Sequence, residues 1–237
     1  FGSRPSLERR GQRLSKPPPG PPCPDRRSLR MAAEEEGEYT QDGPLARELA
    51  ATIPYFPYKG IERFYDIGGL LMHPTLFSKA CDAMAARYKA MKVDCVGGFD
   101  ARGFLFTPVA LKMGVPFFMV RKGGKMPNTI KGGGYKTEYD EKEGLCIQRD
   151  VVKAGDKVVL IDDLIATGGT LCAGIELVKM LGGEVVECAC MVELKALKGN
   201  EKVKAAGAGG CWALISEDVL TVKGELPTGY VDDGCPH

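Results

Sequence analysis

The stretch from Val158 to Thr170 constrains this chain more than any other, because four aliphatic residues run into two carboxylates and then a Gly/Thr turn. Val158, Val159, Leu160 and Ile161 read as a strand buried on both faces, the habit of a parallel sheet. Beyond the turn, Leu171, Ile175, Val178, Met180 and Leu181 lie along an apolar helix face that runs up to Gly182-Gly183, a C-terminal stop signal. The start of that helix offers unpaired main-chain N–H groups and the positive end of the dipole, which suits a phosphate. Gly168 and Gly169 let the backbone come close, and the hydroxyls of Thr167 and Thr170 can donate to phosphate oxygens.

Asp162 and Asp163 sit at the carboxyl end of the strand, where open α/β sheets bind ligands. Carboxylates repel phosphate, so their natural partners are sugar hydroxyls or the waters of a metal ion. A monophosphate joined to a ribose satisfies both halves. Two other phosphate motifs are excluded: no Lys follows the glycines as in a triphosphate loop, and no GxGxxG opens a helix after a strand. Strand, acid, turn and helix are also ordinary βα punctuation, so the motif gains weight only from the rest of the chain.

Alternating elements surround this unit. The pattern predicts a helix from Asp42 to Ala51, an extended segment from Ile61 to Leu71, and a helix from an N-cap at Thr75 through Met91. Then come strand Val93 to Phe99, helix Gly103 to Met113, strand Val115 to Val120, a long loop, and strand Gly144 to Gln148. Strand Lys157 to Ile161, helix Gly168 to Leu181, strand Glu184 to Leu194 and a last strand near Cys211 to Ile215 complete the series. This alternation predicts an α/β fold, a mainly parallel twisted sheet with helices on both faces and a small N-terminal hood. The tail beyond it is turn-rich and carries no pattern. The division expected is residues 1–30 as a disordered or appended extension, 31–75 as N-terminal segment and hood, and 76–237 as the α/β core with a flexible lid at 127–144.

The 237 residues suffice for one sizeable α/β domain and not for two. Residues 1–30 hold eight Lys/Arg against Glu8 and Asp25, or +6, so the remaining 24 basic and 29 acidic residues carry −5 of the net +1. A mildly acidic body argues against a general nucleic-acid binder. The basic start combines Arg with seven prolines and almost no aliphatic content, and cannot bury a core. The opening Phe-Gly-Ser and the internal Met31 predict an appended or upstream-encoded segment before a natural start. Nine cysteines without CxxC spacing read as free thiols in a reducing compartment, the cytoplasm, with Cys188 and Cys190 facing one way along an apolar strand. No run of about 18 apolar residues predicts a membrane span. Two histidines, His73 and His237, leave no room for a zinc site or a His-based triad.

Residues Val158 to Thr170 resemble the phosphoribosyl-pyrophosphate (PRPP) loop of the type I phosphoribosyltransferases, and the chain from about Ile53 to Leu197 is similar to the adenine-using branch of that family. Four further stretches carry the likeness: Arg63 to Ile67, Gly98 to Phe106, Arg121 to Lys125, and Tyr135 to Tyr139. The resemblance implies transfer of a phosphoribosyl group from PRPP to adenine, giving AMP and pyrophosphate in purine salvage. It further implies a homodimer and Mg²⁺ that arrives with the substrate, since no Asp/Glu cluster forms a metal cage. The 5-phosphate would rest on Ala166, Thr167, Gly168, Gly169 and Thr170, and the ribose hydroxyls on Asp162 and Asp163. Pyrophosphate would lie beside Arg102, Arg121, Lys122 and Lys125, on a loop whose Asp100–Ala101 bond is implied to be cis.

Negative charge grows on pyrophosphate as it leaves, which is why cations and N–H donors belong there. The long loop around Gly132-Gly133-Gly134 reads as a lid that excludes water, with Glu138 implied as proton acceptor for the purine and Tyr139 near the ribose or pyrophosphate. Phe64 offers a ring to stack on a flat base. Tyr65 stands where many members carry Arg. Ala166 replaces the acidic residue common in enzymes for 6-oxopurines, which favours adenine. Two alternatives stay open: another base such as xanthine, hypoxanthine or orotate, and a non-catalytic PRPP-sensing module, against which Glu138 and the basic set speak.

Overall fold

The computed structural model describes residues 39–132, 144–226 and 228, with the backbone alone of 136–137 and 140–141. The extension at 1–30, Glu138 and Tyr139 lie outside the described residues. In chain order the strands are β1 (Tyr55–Tyr58), β2 (Ile61–Tyr65), β3 (Cys95–Phe99), β4 (Phe117–Lys122), β5 (Thr129–Lys131), β6 (Lys136–Thr137), β7 (Asp140–Glu141), β8 (Leu145–Gln148), β9 (Lys157–Ile165), β10 (Glu184–Glu193) and β11 (Cys211–Ser216). The α-helices are α1 (Pro44–Ala50), α2 (Gly68–Leu71), α3 (Pro74–Ala90), α4 (Thr107–Met113), α5 (Gly169–Met180) and α6 (Gly199–Ala205).

Seven strands form the central sheet in the order β11-β10-β9-β3-β4-β8-β5. The pairings from β11 to β4 are parallel, and β8 pairs antiparallel with both β4 and β5. Side chains alternate across β9 as strand geometry requires. Val159 and Ile161 enter one core with Leu49, Met84, Tyr88 and Phe106, from α1, α3 and the 3₁₀ turn Arg102–Phe106. Val158 and Leu160 enter the other with Leu171, Ile175 and Val178 of α5. Cys188 and Cys190 share that second face and are buried free thiols, as their spacing predicts.

Four expectations change. Strand β9 runs on to Ile165 because β10 pairs with it as far as Glu193↔Ile165, so Asp162 and Asp163 lie inside the strand rather than just past it. Helix α3 begins at Pro74 with His73 in the cap position and no side-chain cap, since proline is preset for the first helical residue. The stretch expected as one long loop between Val120 and Gly144 holds β5, paired to β8, and the β6–β7 ladder. The segment 61–71 divides into β2, which pairs antiparallel with β1 as the hood hairpin, and α2.

The tail is also more than turns. Tyr55 donates to Val222 O and accepts from Gly224 N, both at 2.9 Å, which adds 222–224 to the hood as a parallel partner of β1.

The turn between β9 and α5 is buttressed from behind by the corner at Lys198–Gly199. Gly168 adopts φ +75°, and a Cβ there would meet Gly199 O at 2.7 Å. Conversely, a Cβ on Gly199 would meet Ala166 O at 2.3 Å and Gly168 N at 2.9 Å. Two backbones therefore touch where only hydrogens fit. Gly199→Ala is expected to cost about 1–3 kcal/mol through overpacking. Urea denaturation of the purified variant checks it, and an unchanged midpoint would show that the corner gives way freely.

Candidate active site

Strand β9 delivers both carboxylates to one rim of the sheet, and the alternation of the strand gives them different neighbours. Asp163 is 6 % exposed and meets Arg102 Nε at 3.0 Å through Oδ2. Asp162 lines a cleft of about 110 Å³ together with Leu164 to Leu171. Its Oδ1 accepts from the Asp163 main-chain N–H at 2.9 Å. Burial, and then the charge of Asp163 alongside, push the Asp162 carboxyl up to about 7.

The floor of that cleft is the turn Ala166 to Thr170. Cys172 N–H closes a helical bond onto Gly168 O at 3.0 Å, so by helix geometry the amides of the preceding residues have no partner within α5. Gly168 is buried while Thr167 and Thr170 are exposed, which leaves both hydroxyls accessible at the mouth. Main-chain donors, a helix dipole and two hydroxyls face a space of anion size. Directly above stands a carboxyl that a positive or hydrogen-bonding ligand would ionise.

On the other side of the acid pair, the peptide bond Asp100–Ala101 is cis, in keeping with the resemblance. Arg102 follows it at the start of the 3₁₀ turn, 45 % exposed, and also lies over the Phe64 ring at 5.6 Å. A guanidinium has five N–H donors, so the ion pair with Asp163 at Nε leaves donors for an anion. The Phe64 ring packs on Tyr58 at 5.0 Å, in a cavity of about 320 Å³ lined by Phe56, Pro57, Tyr58, Phe64, Asp66 and Leu226. One chain of contacts thus joins the acid pair to the hood.

The four cations expected together are not equivalent. Arg121 Nε bonds Asp100 Oδ2 at 2.8 Å, beside the cis bond, so its first partner is the loop itself. Lys122 is the next residue on β4 and therefore faces the opposite way; it and Lys125 are exposed, with no ion-pair partner among the described residues. Tyr65 turns inward, 8 % exposed and edge-on to Tyr55, which takes it away from Phe64 and the cavity. Among the described residues no three His, Cys, Asp or Glu gather to hold a metal, and no helix is long and apolar enough to cross a membrane. Sequence reasoning missed Tyr58, Asp66, Gly199 and the 222–226 segment. The Lys198-Gly199 pair carries a turn signal, but nothing local says what it touches; the others need the hairpin to be folded.

Known proteins resemble this chain in sequence and in fold. The model of the phosphoribosyl transferase domain matches residues 70–207. The adenine phosphoribosyltransferase of Desulfosudis oleivorans is 47 % identical over 154 residues, 65 % of this chain and 88 % of its own. That of Rattus norvegicus is 44 % identical over 163 residues, covering 67 % and 89 %. The adenine phosphoribosyl transferase of Trypanosoma brucei, solved in complex with AMP, pyrophosphate and ribose-5-phosphate, superposes with a TM-score of 0.69 at 31 % identity, over 77 % of this chain and 83 % of that one. A domain match across more than half the chain, on a sheet that presents its acid pair and glycine turn at the same rim, means that this protein belongs to the phosphoribosyltransferase family of enzymes.

Proposed function

We propose that the enzyme transfers the phosphoribosyl group of PRPP to adenine, producing AMP and pyrophosphate for purine salvage in the cytoplasm. The observation that carries the reading is the cleft in which the amide-lined turn at 166–170 and the raised carboxyl of Asp162 face one small space. The names of the relatives, adenine phosphoribosyltransferases at 40–47 % identity, support adenine as the base. Ala166 supports it too, since a neutral side chain offers no proton to a 6-oxo group.

The 5-phosphate takes the amides and hydroxyls of the turn. Asp162 and Asp163 receive the ribose hydroxyls, with Asp163 already steered by Arg102. N9 of adenine bonds to C1 of the ribose while the bond from C1 to the pyrophosphate oxygen breaks, and the electron pair leaves with pyrophosphate. Arg102, Lys122 and Lys125 offset the charge growing there. Arg121 holds the 100–101 loop through Asp100, and so serves pyrophosphate by fixing the loop's shape. Glu138 accepts the proton that the purine ring gives up, and Tyr139 closes beside it as part of a lid. Phe64 stacks on the base.

A two-carboxylate rim fits Mg²⁺ that brings phosphate and water ligands with it, since such an ion needs only one or two protein carboxylates. Asp162 and Asp163 would hold it, through their waters. When bound, it neutralises pyrophosphate and makes it a better leaving group. Two copies of the chain form the working unit, by family likeness.

Protein given adenine and PRPP is expected to release AMP and pyrophosphate one for one. Equal turnover with hypoxanthine, xanthine or orotate would overturn the base assignment, and PRPP binding without release would favour a sensor. Glu138→Gln is expected to slow turnover about 100-fold with little change in PRPP affinity; unchanged turnover removes Glu138 from proton transfer.

The acid pair also sets a pH dependence. Asp162 in the folded, ligand-free protein titrates near 7 against an ordinary 3.8, so between those values the folded state holds a proton that the unfolded chain has lost. Stability from this group therefore falls as pH rises from about 4 to about 7, then levels. Urea midpoints measured across that window should decline less steeply in Asp162→Asn; parallel curves would refute the assignment.

A further inference from the structure

We propose that the C-terminal segment Val222–Leu226 is a wall of the base pocket and positions the hood aromatics for a flat, neutral heterocycle. This inference rests on the functional reading above and extends it to residues outside the matched domain, which ends at 207.

Three contacts carry it. Main-chain bonds at 2.9 Å run from Tyr55 N to Val222 O and from Gly224 N to Tyr55 O, so the segment is a third strand-like edge of the hairpin. The Phe56 ring lies against Gly224: a Cβ at 224 would collide with Phe56 Cε1 and Cζ. Only a residue without a side chain lets that ring settle where it is. Leu226 then lines the same cavity as Phe56, Tyr58, Phe64 and Asp66, and it is 39 % exposed.

The cavity's chemistry matches a purine. Its lining is three aromatic rings, a proline, a leucine and the carboxylate of Asp66, which gives stacking faces and, since Asp66 Oδ1 already accepts from Gly68 N–H at 2.9 Å, a second carboxylate oxygen to accept from an exocyclic amine. Phe64 connects it to the reaction rim through Arg102. Ring position in the hood is set from two sides, Tyr58 on Phe64 and Gly224 on Phe56, and the paired register Phe56↔Phe64 puts both residues on one face of the hairpin, where they line the same cavity. A displacement of the tail is thereby passed to the stacking surface. Leu226 and Gly224 are positioning residues, since they act through the rings.

The test compares full-length Leu226→Trp, which fills the cavity, and Gly224→Ala, which pushes Phe56, with the unaltered protein in steady-state kinetics. Each is expected to raise KM for adenine about tenfold while KM for PRPP stays within about twofold, and Leu226→Met should behave as wild type. If wild type turns over adenine and both variants keep its KM for adenine, the inference is overturned and the function stands. If KM for adenine and PRPP rise together with a fall in melting temperature, the tail is merely structural and the inference again fails. Wild type that neither binds nor turns over adenine overturns the functional reading, and this wall with it.

Discussion

Two neighbouring carboxylates toward the carboxyl end of an interior strand repel one another, and the arrangement around β9 is organised by how that repulsion is answered. One acid is neutralised by a guanidinium, Arg102, whose chain position is fixed by the loop at Asp100–Ala101. The other is left with a main-chain N–H and holds its proton to unusually high pH. A site prepared in this way is electrostatically unfinished. Cations or hydrogen-bond donors would complete it, whereas a second uncompensated anion near Asp162 would make matters worse. The turn at 166–170 lies beyond the acids, where helix amides supply the opposite polarity, so one short segment presents both signs in the order that the proposed phosphoribosyl substrate requires.

Arg102 also gives the site its connectedness. The same guanidinium touches Asp163 and covers the ring of Phe64, so groups from β9, the 3₁₀ turn and the hood share one side chain. Arg121 plays a quieter part through Asp100, holding the loop from which Arg102 departs. The basic residues thus divide between those that shape the loop and those left exposed toward solvent, a division that their adjacency in sequence conceals.

Rigidity comes from close backbone contact rather than from side-chain bulk. Gly168 and Gly199 meet without a Cβ between them, and Phe56 rests on Gly224 in the hood. Both contacts join segments distant in the chain, one behind the turn at 166–170 and the other beside the cavity lined by Phe56 and Phe64. Packing on the two faces of the sheet is ordinary by comparison, with β-branched and aliphatic residues alternating into two cores.

How much of this was legible follows from range. The strand, turn and helix from Val158 to Met180 declare themselves because their signals are local: an unbroken aliphatic run, two glycines where the backbone must turn, and a helical apolar period. The same holds for the alternation that implies a parallel sheet, and for Cys188 and Cys190 on one face. What the sequence could not contain is what lies opposite each residue. The extension of β9 to Ile165 depends on β10, the strand at Thr129–Lys131 depends on β8, Arg121 is claimed by Asp100, and a featureless tail acquires meaning only where Tyr55 bonds to it. Local chemistry chose the elements and the glycine turn; long-range pairing and contact chose their ends, their partners and the residues that line the cleft, because those energies exist only once distant segments touch.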